Sequence, residues 1–362
     1  MFQIQYIDAL LASFLVTLIT SLGLVITKSV HGKFTLDSDQ GVQKVHRVPT
    51  PRIGGIPLVC GYVAAWLFLE GEGKILFGLI GIAGMPAFFF GLAEDITKKI
   101  AVRARLLATV VSGMLFALLT GYTITSIDVW GVDAILALPL FAFAFTAFAI
   151  AGAANAINLI DGFHGLAAGT LIIILFSFAL VGWRVDDLML ASLSLLTASI
   201  VAGFFAVNFP FGKLFLGDAG AYFCGFLVAA LAVMLPARNP EISPWVSLLI
   251  LGYPVTETLV SVVRRQLDKD AHPGAPDSAH LHHVVHRTWA KRVAKFVHIP
   301  QAQNPLTSVF MWILPVLTLL AVSASALDTI PMLILLFGTV VFYVVSYRVI
   351  IHREAYSKAK DI

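Results

Sequence analysis

Residues 139–183 read PLFAFAFTAFAIAGAANAINLIDGFHGLAAGTLIIILFSFALVGW. Two apolar runs, each long enough to cross a hydrocarbon layer of about 30 Å as helix, flank one polar insert, NAINLIDGFHG. The insert stands out because the whole chain is 59% hydrophobic and only 12% charged. A soluble domain is about 45–50% apolar and about 25% charged, so the pattern is that of membrane-crossing helices joined by polar loops.

Outward from this stretch the pattern repeats. Candidate spans lie at about 6–26, 55–70, 75–93, 104–121, 134–153, 165–183, 188–207, 218–236, 244–263, 307–327 and 330–351. The expected fold class is therefore all-α, a polytopic integral membrane protein of about 10–11 transmembrane helices. The start, MFQIQYIDALLASFLVTLIT, lacks a basic n-region and a small-residue cleavage site, and reads as a retained first helix. Cys60 and Cys224 both fall within spans, which excludes a disulfide framework. No repeat or soluble domain is visible, and residues 1–362 read as one membrane domain.

Lys and Arg set the orientation, since they accumulate on the cytoplasmic side. With an outside N-terminus and an inside C-terminus, 21 of the 24 basic residues fall in inward loops, and only Lys74, Arg184 and Arg238 are left outside. The inward loops, at about 27–54, 94–104, 154–164, 208–218 and 264–306, also hold the dense polar groupings. A chemical site is expected at the cytoplasmic face.

Each grouping has a bland reading and a chemical one. KVHRVPTPRIGG (44–55) is a stiff basic segment, suited to lipid headgroups or to a bound phosphate. In AEDITKKIAVRAR (93–105), Glu94 and Asp95 precede Lys98 and Arg105, as in a solvated helix end or a pair of acids facing a cation. Asn155, Asn158 and Asp161, spaced by three, share one face of a helix, with Gly162 and His164 beyond. Asn can be helix–helix glue, but three such residues at a span end exceed what glue needs. Asp218 in KLFLGDAG (213–220) suits an N-cap or a Mg²⁺ ligand, and Glu257 in span nine suits snorkelling to the surface or pairing with a basic residue. His280, His282, His283 and His286 lack zinc spacing and fit phosphate oxygens. Together, oxygen donors for a divalent cation and bases for phosphates point to phosphoryl chemistry at a membrane surface.

The set PTPRIGG, AEDITKK, NAINLIDGFHG, FLGDAG and HLHH, in this order over about 44–286, resembles the polyprenyl-phosphate N-acetylhexosamine-1-phosphate transferases, the WecA-like bacterial enzymes of the inner membrane. The resemblance implies transfer of an N-acetylhexosamine 1-phosphate, such as GlcNAc-1-phosphate or a 6-deoxy relative, from a UDP-sugar to undecaprenyl phosphate. UMP is released and a cell-surface polysaccharide such as O-antigen is begun. It implies Mg²⁺, with Mn²⁺ as a substitute, held by Asp218 with Asn158 close by. It further implies Asn155, Asp161 and His164 at the nucleotide and Phe215 on the uracil. Glu94 and Asp95 would lie near the lipid phosphate, and Lys44, Arg52, Lys98, Arg105, His280, His282 and His283 at phosphate oxygens. A homodimer is left open.

Three positions depart from the family pattern: Glu94-Asp95 for Asp-Asp, His164 for Asp or Asn in the DGFHG loop, and Glu257 for an Asp. These leave the sugar open more than the reaction. HLHH is shorter than the His run of the muropeptide phosphotransferases, the alternative within the superfamily. A transporter or flippase of phosphorylated substrates is the alternative from another class, and it would place its polar site near the midplane.

Overall fold

The structure is a computed structural model that describes residues 4–37, 49–267 and 279–360. It opens with α1 (Ile4–Ile26) and α2 (Lys28–Thr35), then two-residue strands β1 (Leu36–Asp37) and β2 (Thr50–Pro51) that pair antiparallel. Next come α3 (Gly55–Phe68), α4 (Gly71–Thr97), α5 (Val102–Thr120), α6 (Val132–Leu136), α7 (Pro139–Ile160), α8 (Leu166–Arg184), α9 (Leu188–Asn208) and α10 (Gly217–Arg238). The C-terminal part holds α11 (Trp245–Ile250), α12 (Gly252–Leu267), α13 (Leu281–Val285), α14 (Lys291–Phe296), α15 (Gln303–Met311), α16 (Ile313–Ala324) and α17 (Thr329–Lys360).

Among the described residues, nine helical segments are long and apolar enough to cross a membrane. They are α1, α4, α5, α7, α8, α9, α10, the α15–α16 segment and α17, and they make this a multi-pass membrane protein. The remaining two candidate spans are helical but modified. The 55–70 stretch forms only the 14-residue α3. The 244–263 stretch is broken between α11 and α12, and, among the nine, the 307–327 stretch is likewise broken between α15 and α16. Both breaks have one cause. A proline lacks the N–H and its ring crowds the carbonyl four residues before it. Four residues before Pro254 is Ile250, where α11 ends, and four before Pro315 is Met311, where α15 ends. The fifth span also shifts. It starts at Pro139, whose fixed φ suits a first helical turn, and runs on to Ile160, so the 134–153 expectation stopped two turns short.

The bundle is built around α10, which packs on α3, α4, α5, α7, α8 and α9. Of its most apolar window 94% is buried, against 11% for α17. Small residues make this possible. A Cβ on Gly91 of α4 would lie 2.6 Å from the Ala219 backbone, and one on Gly225 would lie 2.8 Å from that of Ala154. Lipid tails are as apolar as Leu, so such close backbone contact supplies the packing that holds membrane helices together. The consequence is positional. Asp218, in the first turn of α10, lies at the centre of the end where α4, α7 and α9 finish and α5, α8 and α15 begin.

Candidate active site

Asp218 is set in place by another acid. Gly217 starts α10 at φ +72°, a conformation that an L side chain rarely adopts, and a Cβ there would lie 2.6 Å from an Asp95 oxygen. Asp95, fully buried at the end of α4, accepts from the backbone N–H groups of Asp218 (2.8 Å) and Ala219 (2.9 Å). These are among the amides that a helix start leaves without partners, so Asp95 acts as an N-cap supplied by a different helix.

The Asp218 carboxylate faces two guanidinium groups. Arg52 Nη2 lies 2.5 Å from Oδ1, Arg105 Nη1 donates to Oδ2, and Asn158 Nδ2 donates to Oδ1 at 3.2 Å. Arg52 also reaches Asp95, at 3.3 Å. Its backbone is tied down on each side, since Arg52 N–H donates to Thr35, Phe215 N–H to Pro51, and Gly54 N–H to Phe215. The PTPRIGG loop and the FLGDAG loop are thus laced into one surface.

Asp161 follows the last residue of α7 and has no side-chain hydrogen bond within the described residues. Enclosure pushes its carboxyl up to about 7, with the Asp218 charge adding and the Arg52 charge opposing. Asn155, expected to share a face with Asn158 and Asp161, turns elsewhere. Its amide donates to Thr109 Oγ1 on α5 (3.1 Å) and to the Ala151 carbonyl (2.8 Å). The spacing of three drifts around a helix of 3.6 residues per turn, so Asn155 joins α5 to α7 instead of facing Asp218.

His164 leans into the FPFGKLFLGD loop. Its Nδ1 lies 3.1 Å from the Pro210 carbonyl oxygen, which can only accept, so Nδ1 carries the proton. The ring covers Gly212, where a Cβ would fall 2.3 Å from Nε2, and lies 5.9 Å from the Phe215 ring at a 31° tilt. Asn208, at the end of α9, binds the same two loops: its Oδ1 accepts from Gly165 N–H (2.6 Å) and its Nδ2 donates to Leu214 O (2.7 Å).

The histidine segment packs on the DGFHG loop through Phe163, whose ring meets those of His282, His283 and His286 at 5.7, 5.3 and 4.8 Å. His280, His282 and His283 are all buried. Glu257, 1% exposed, accepts from Leu281 N–H (3.2 Å) and lies 3.0 Å from His280 Nδ1. Burial, with the neighbouring His283, His280 and His286, holds His282 well below the usual imidazole range. His282 is therefore neutral at pH 7, and a phosphate contact through it would use a neutral ring nitrogen.

The other expected residues lie further out. Glu94 Oε2 accepts from Ile100 N–H (2.7 Å), which closes the turn after α4. The Lys98 ammonium donates to Leu36 O (2.9 Å). Lys44 lies outside the described residues. Asp95, Asn158, Asp161, Asp218, Arg52 and Arg105 are thus gathered at one point, whereas Asn155, Glu94 and Lys98 serve neighbouring contacts. Residues absent from the sequence-derived site are Glu257, Asn208, Asn304 and Ser308. Glu257 carried a signal, being an acid inside an apolar span. The other three are ordinary polar residues near helix ends, and only their partners distinguish them.

The donor set suits a hard cation in part. It consists of oxygen ligands with no thiol, and Mg²⁺ needs only one or two carboxylates when water and substrate phosphates complete its shell. No group of three His, Cys, Asp or Glu converges among the described residues. Both Asp218 oxygens are engaged by arginines, so a cation there would share the carboxylate with, or displace, a guanidinium.

Residues 77–236 match the family model of glycosyl transferase family 4, a stretch that contains every gathered residue except Arg52. The chain is 29% identical over 277 residues to a probable undecaprenyl-phosphate N-acetylglucosaminyl 1-phosphate transferase of Bacillus subtilis (strain 168), covering 76% of each. It is 26% identical over 324 residues to the undecaprenyl-phosphate alpha-N-acetylglucosaminyl 1-phosphate transferase of Escherichia coli (strain K12), covering 84% of this chain and 86% of that one. A decaprenyl-phosphate N-acetylglucosaminephosphotransferase of Mycolicibacterium smegmatis is 27% identical over 267 residues, 66% of each.

Proposed function

We propose that this chain, a member of glycosyl transferase family 4 and of its polyprenyl-phosphate hexosamine-1-phosphate transferase type, transfers N-acetylglucosamine 1-phosphate from a UDP-sugar to a polyprenyl phosphate. UMP leaves, and the lipid-linked product starts a surface polysaccharide. The observation that carries this reading is the convergence of Asp218, Asp161 and Asn158 with Arg52 and Arg105 at one end of an apolar helical bundle. Within the bundle an apolar groove of about 510 Å³ runs between α7, α10 and the α11–α12 segment, lined by Phe148, Gly152, Ala156, Ala229, Leu248 and Val255. A charged cluster at the end of apolar helices suits a lipid that carries a phosphate head.

In this reading the lipid phosphate oxygen forms a bond to the sugar-linked phosphorus while the bond to the UMP oxygen breaks. The attacking phosphate loses most of its second proton near neutral pH, its second pKa being about 6, so no protein base is required. Arg52 and Arg105 offset charge on the donor diphosphate. Asp95 orients Asp218 through the α10 cap and does not itself meet substrate. Asp218 with Asn158 would hold Mg²⁺ or Mn²⁺, which supplies charge neutralisation to the diphosphate when bound. The basic end of the bundle faces the cytoplasm of a bacterial inner membrane, with the N-terminus on the periplasmic side. The polar groups gather at that one end, away from the midplane position of a carrier site.

The test mixes purified protein, undecaprenyl phosphate and Mg²⁺ with a panel of UDP-N-acetyl sugars and follows UMP. The expected outcome is release that needs both lipid and metal and is fastest with UDP-GlcNAc. Release without lipid, or none with any donor, overturns the reading.

A further inference from the structure

The C-terminal helices hold one peptide of the DGFHG loop from outside the family-matched segment. Asn304 Oδ1, in α15, accepts from His164 N–H at 2.8 Å. Ser308 Oγ, one turn further along α15, donates to the His164 carbonyl at 2.7 Å. Ser308 is fully buried. Residues four apart lie on one face of a helix, so both sides of a single residue are gripped by one surface. The grip is anchored, because Trp312 fits over Gly169 of α8, where a Cβ would lie 2.4 Å from the indole, and its ring lies 5.1 Å from that of Phe209.

What this grip controls follows from the His164 ring. With its backbone fixed by α15, the imidazole covers Gly212, bonds to the Pro210 carbonyl and stands beside Phe215. The contact chain therefore runs from α15 through His164 to the loop that carries Phe215 and, three residues on, Asp218. We infer that Asn304 and Ser308 are positioning residues for the nucleotide end of the donor, acting through His164 on the 209–217 loop. The inference rests on the donor reading proposed above, with the nucleotide at His164 and Phe215 as the family resemblance implies. A buried polar pair serving only stability would affect both substrates alike; a pair that shapes the nucleotide end affects the donor alone.

The experiment compares full-length wild type with Asn304→Leu, Asn304→Asp and Ser308→Ala, measuring KM for UDP-GlcNAc, KM for undecaprenyl phosphate, kcat and the melting temperature. UMP binding with Mg²⁺ is followed as a readout independent of turnover. Asn304→Leu removes the acceptor, and the expected result is a rise of about tenfold in donor KM and UMP Kd, the scale of one lost hydrogen bond to a buried backbone amide. Lipid KM stays within twofold and kcat within threefold. Asn304→Asp keeps an oxygen acceptor for the same N–H and restores donor KM to within about threefold of wild type. Ser308→Ala raises it about threefold to tenfold. Unchanged donor KM in a folded Asn304→Leu, an equal rise in both KM values, or failure of Asn304→Asp to restore binding overturns the inference while the transferase reading stands. A wild-type chain that neither turns over nor binds UMP overturns the donor reading and this inference with it.

Discussion

Two aspartates at opposite ends of the bundle differ in how far the fold provides for their charge. At the end away from the cluster, Asp187 precedes α9 and is completely provided for. Arg238 reaches it through two nitrogens at 2.7 and 2.8 Å, Leu190 N–H caps it at 3.1 Å, and Asn239 adds a bond at 3.2 Å. Burial alone would raise its carboxyl, but these donors, Arg238 above all, hold it below the usual carboxylate range. At the other end Asp161 has the same side chain and no such donors among the described residues, and enclosure pushes its carboxyl up to about 7. An acid whose environment disfavours its charge retains affinity for whatever brings positive charge, and such acids concentrate at functional sites.

The largest effect that would break this contrast is on turnover. Asp218→Ala and Asp161→Ala are each expected to lower UMP release by at least about 1,000-fold, an amount in line with removal of one preorganised electrostatic group, with the protein still inserted and monodisperse. Near-normal release from both variants would remove the cluster from the chemistry.

The second effect is on stability, and it differs in sign between the two ends. Asp187→Asn leaves the Arg238 charge short of its partner, and the expected loss is about 2 kcal/mol, below the 3–5 kcal/mol of a fully buried pair because Arg238 is partly exposed. Asp187 has a lowered folded pKa, so its contribution is present above the unfolded value of about 3.9 and disappears as pH falls through the folded value. Asp161 has a raised folded pKa, so in metal-free protein stability declines between about pH 4 and about pH 7 and is level above that. Asp161→Asn should therefore melt higher than wild type at pH 8 in chelator, and little differently at pH 4. Melting curves of the two variants that move in the same direction at pH 8 would remove the distinction.

The smallest effect sharpens the boundary of the site. Asn155→Ala should cost about 0.6 kcal/mol, the usual worth of a hydrogen bond between membrane helices, and leave donor KM within about threefold. A tenfold rise in donor KM would return Asn155 to the nucleotide pocket.

Much of this molecule was legible beforehand because lipid imposes a coarse rule. Every backbone polar group must be satisfied within the segment, so apolar length alone reports the helices, and all eleven expected spans are helical. The breaks at Leu251 and Trp312 were legible in principle, since Pro254 and Pro315 stand four residues past the ends of α11 and α15. The site was legible as a set of polar residues at one end. The roles within it were not. Glu94 and Asp95 are adjacent acids on α4, yet one closes a turn onto Ile100 and the other caps α10. Asn155 and Asn158 lie three apart, yet one bonds to α5 and the other to Asp218.

Composition, apolar run length and the placement of Lys and Arg by themselves determined a multi-helix membrane protein with its polar chemistry gathered at one end. These are properties of single segments against a solvent, and each segment reports its own. Which acid holds a helix, which faces a guanidinium, and that α15 grips His164 across 140 residues of chain were decided by tertiary structure alone. A hydrogen bond depends on distances of a few tenths of an ångström between segments, and no segment carries that information about its partner.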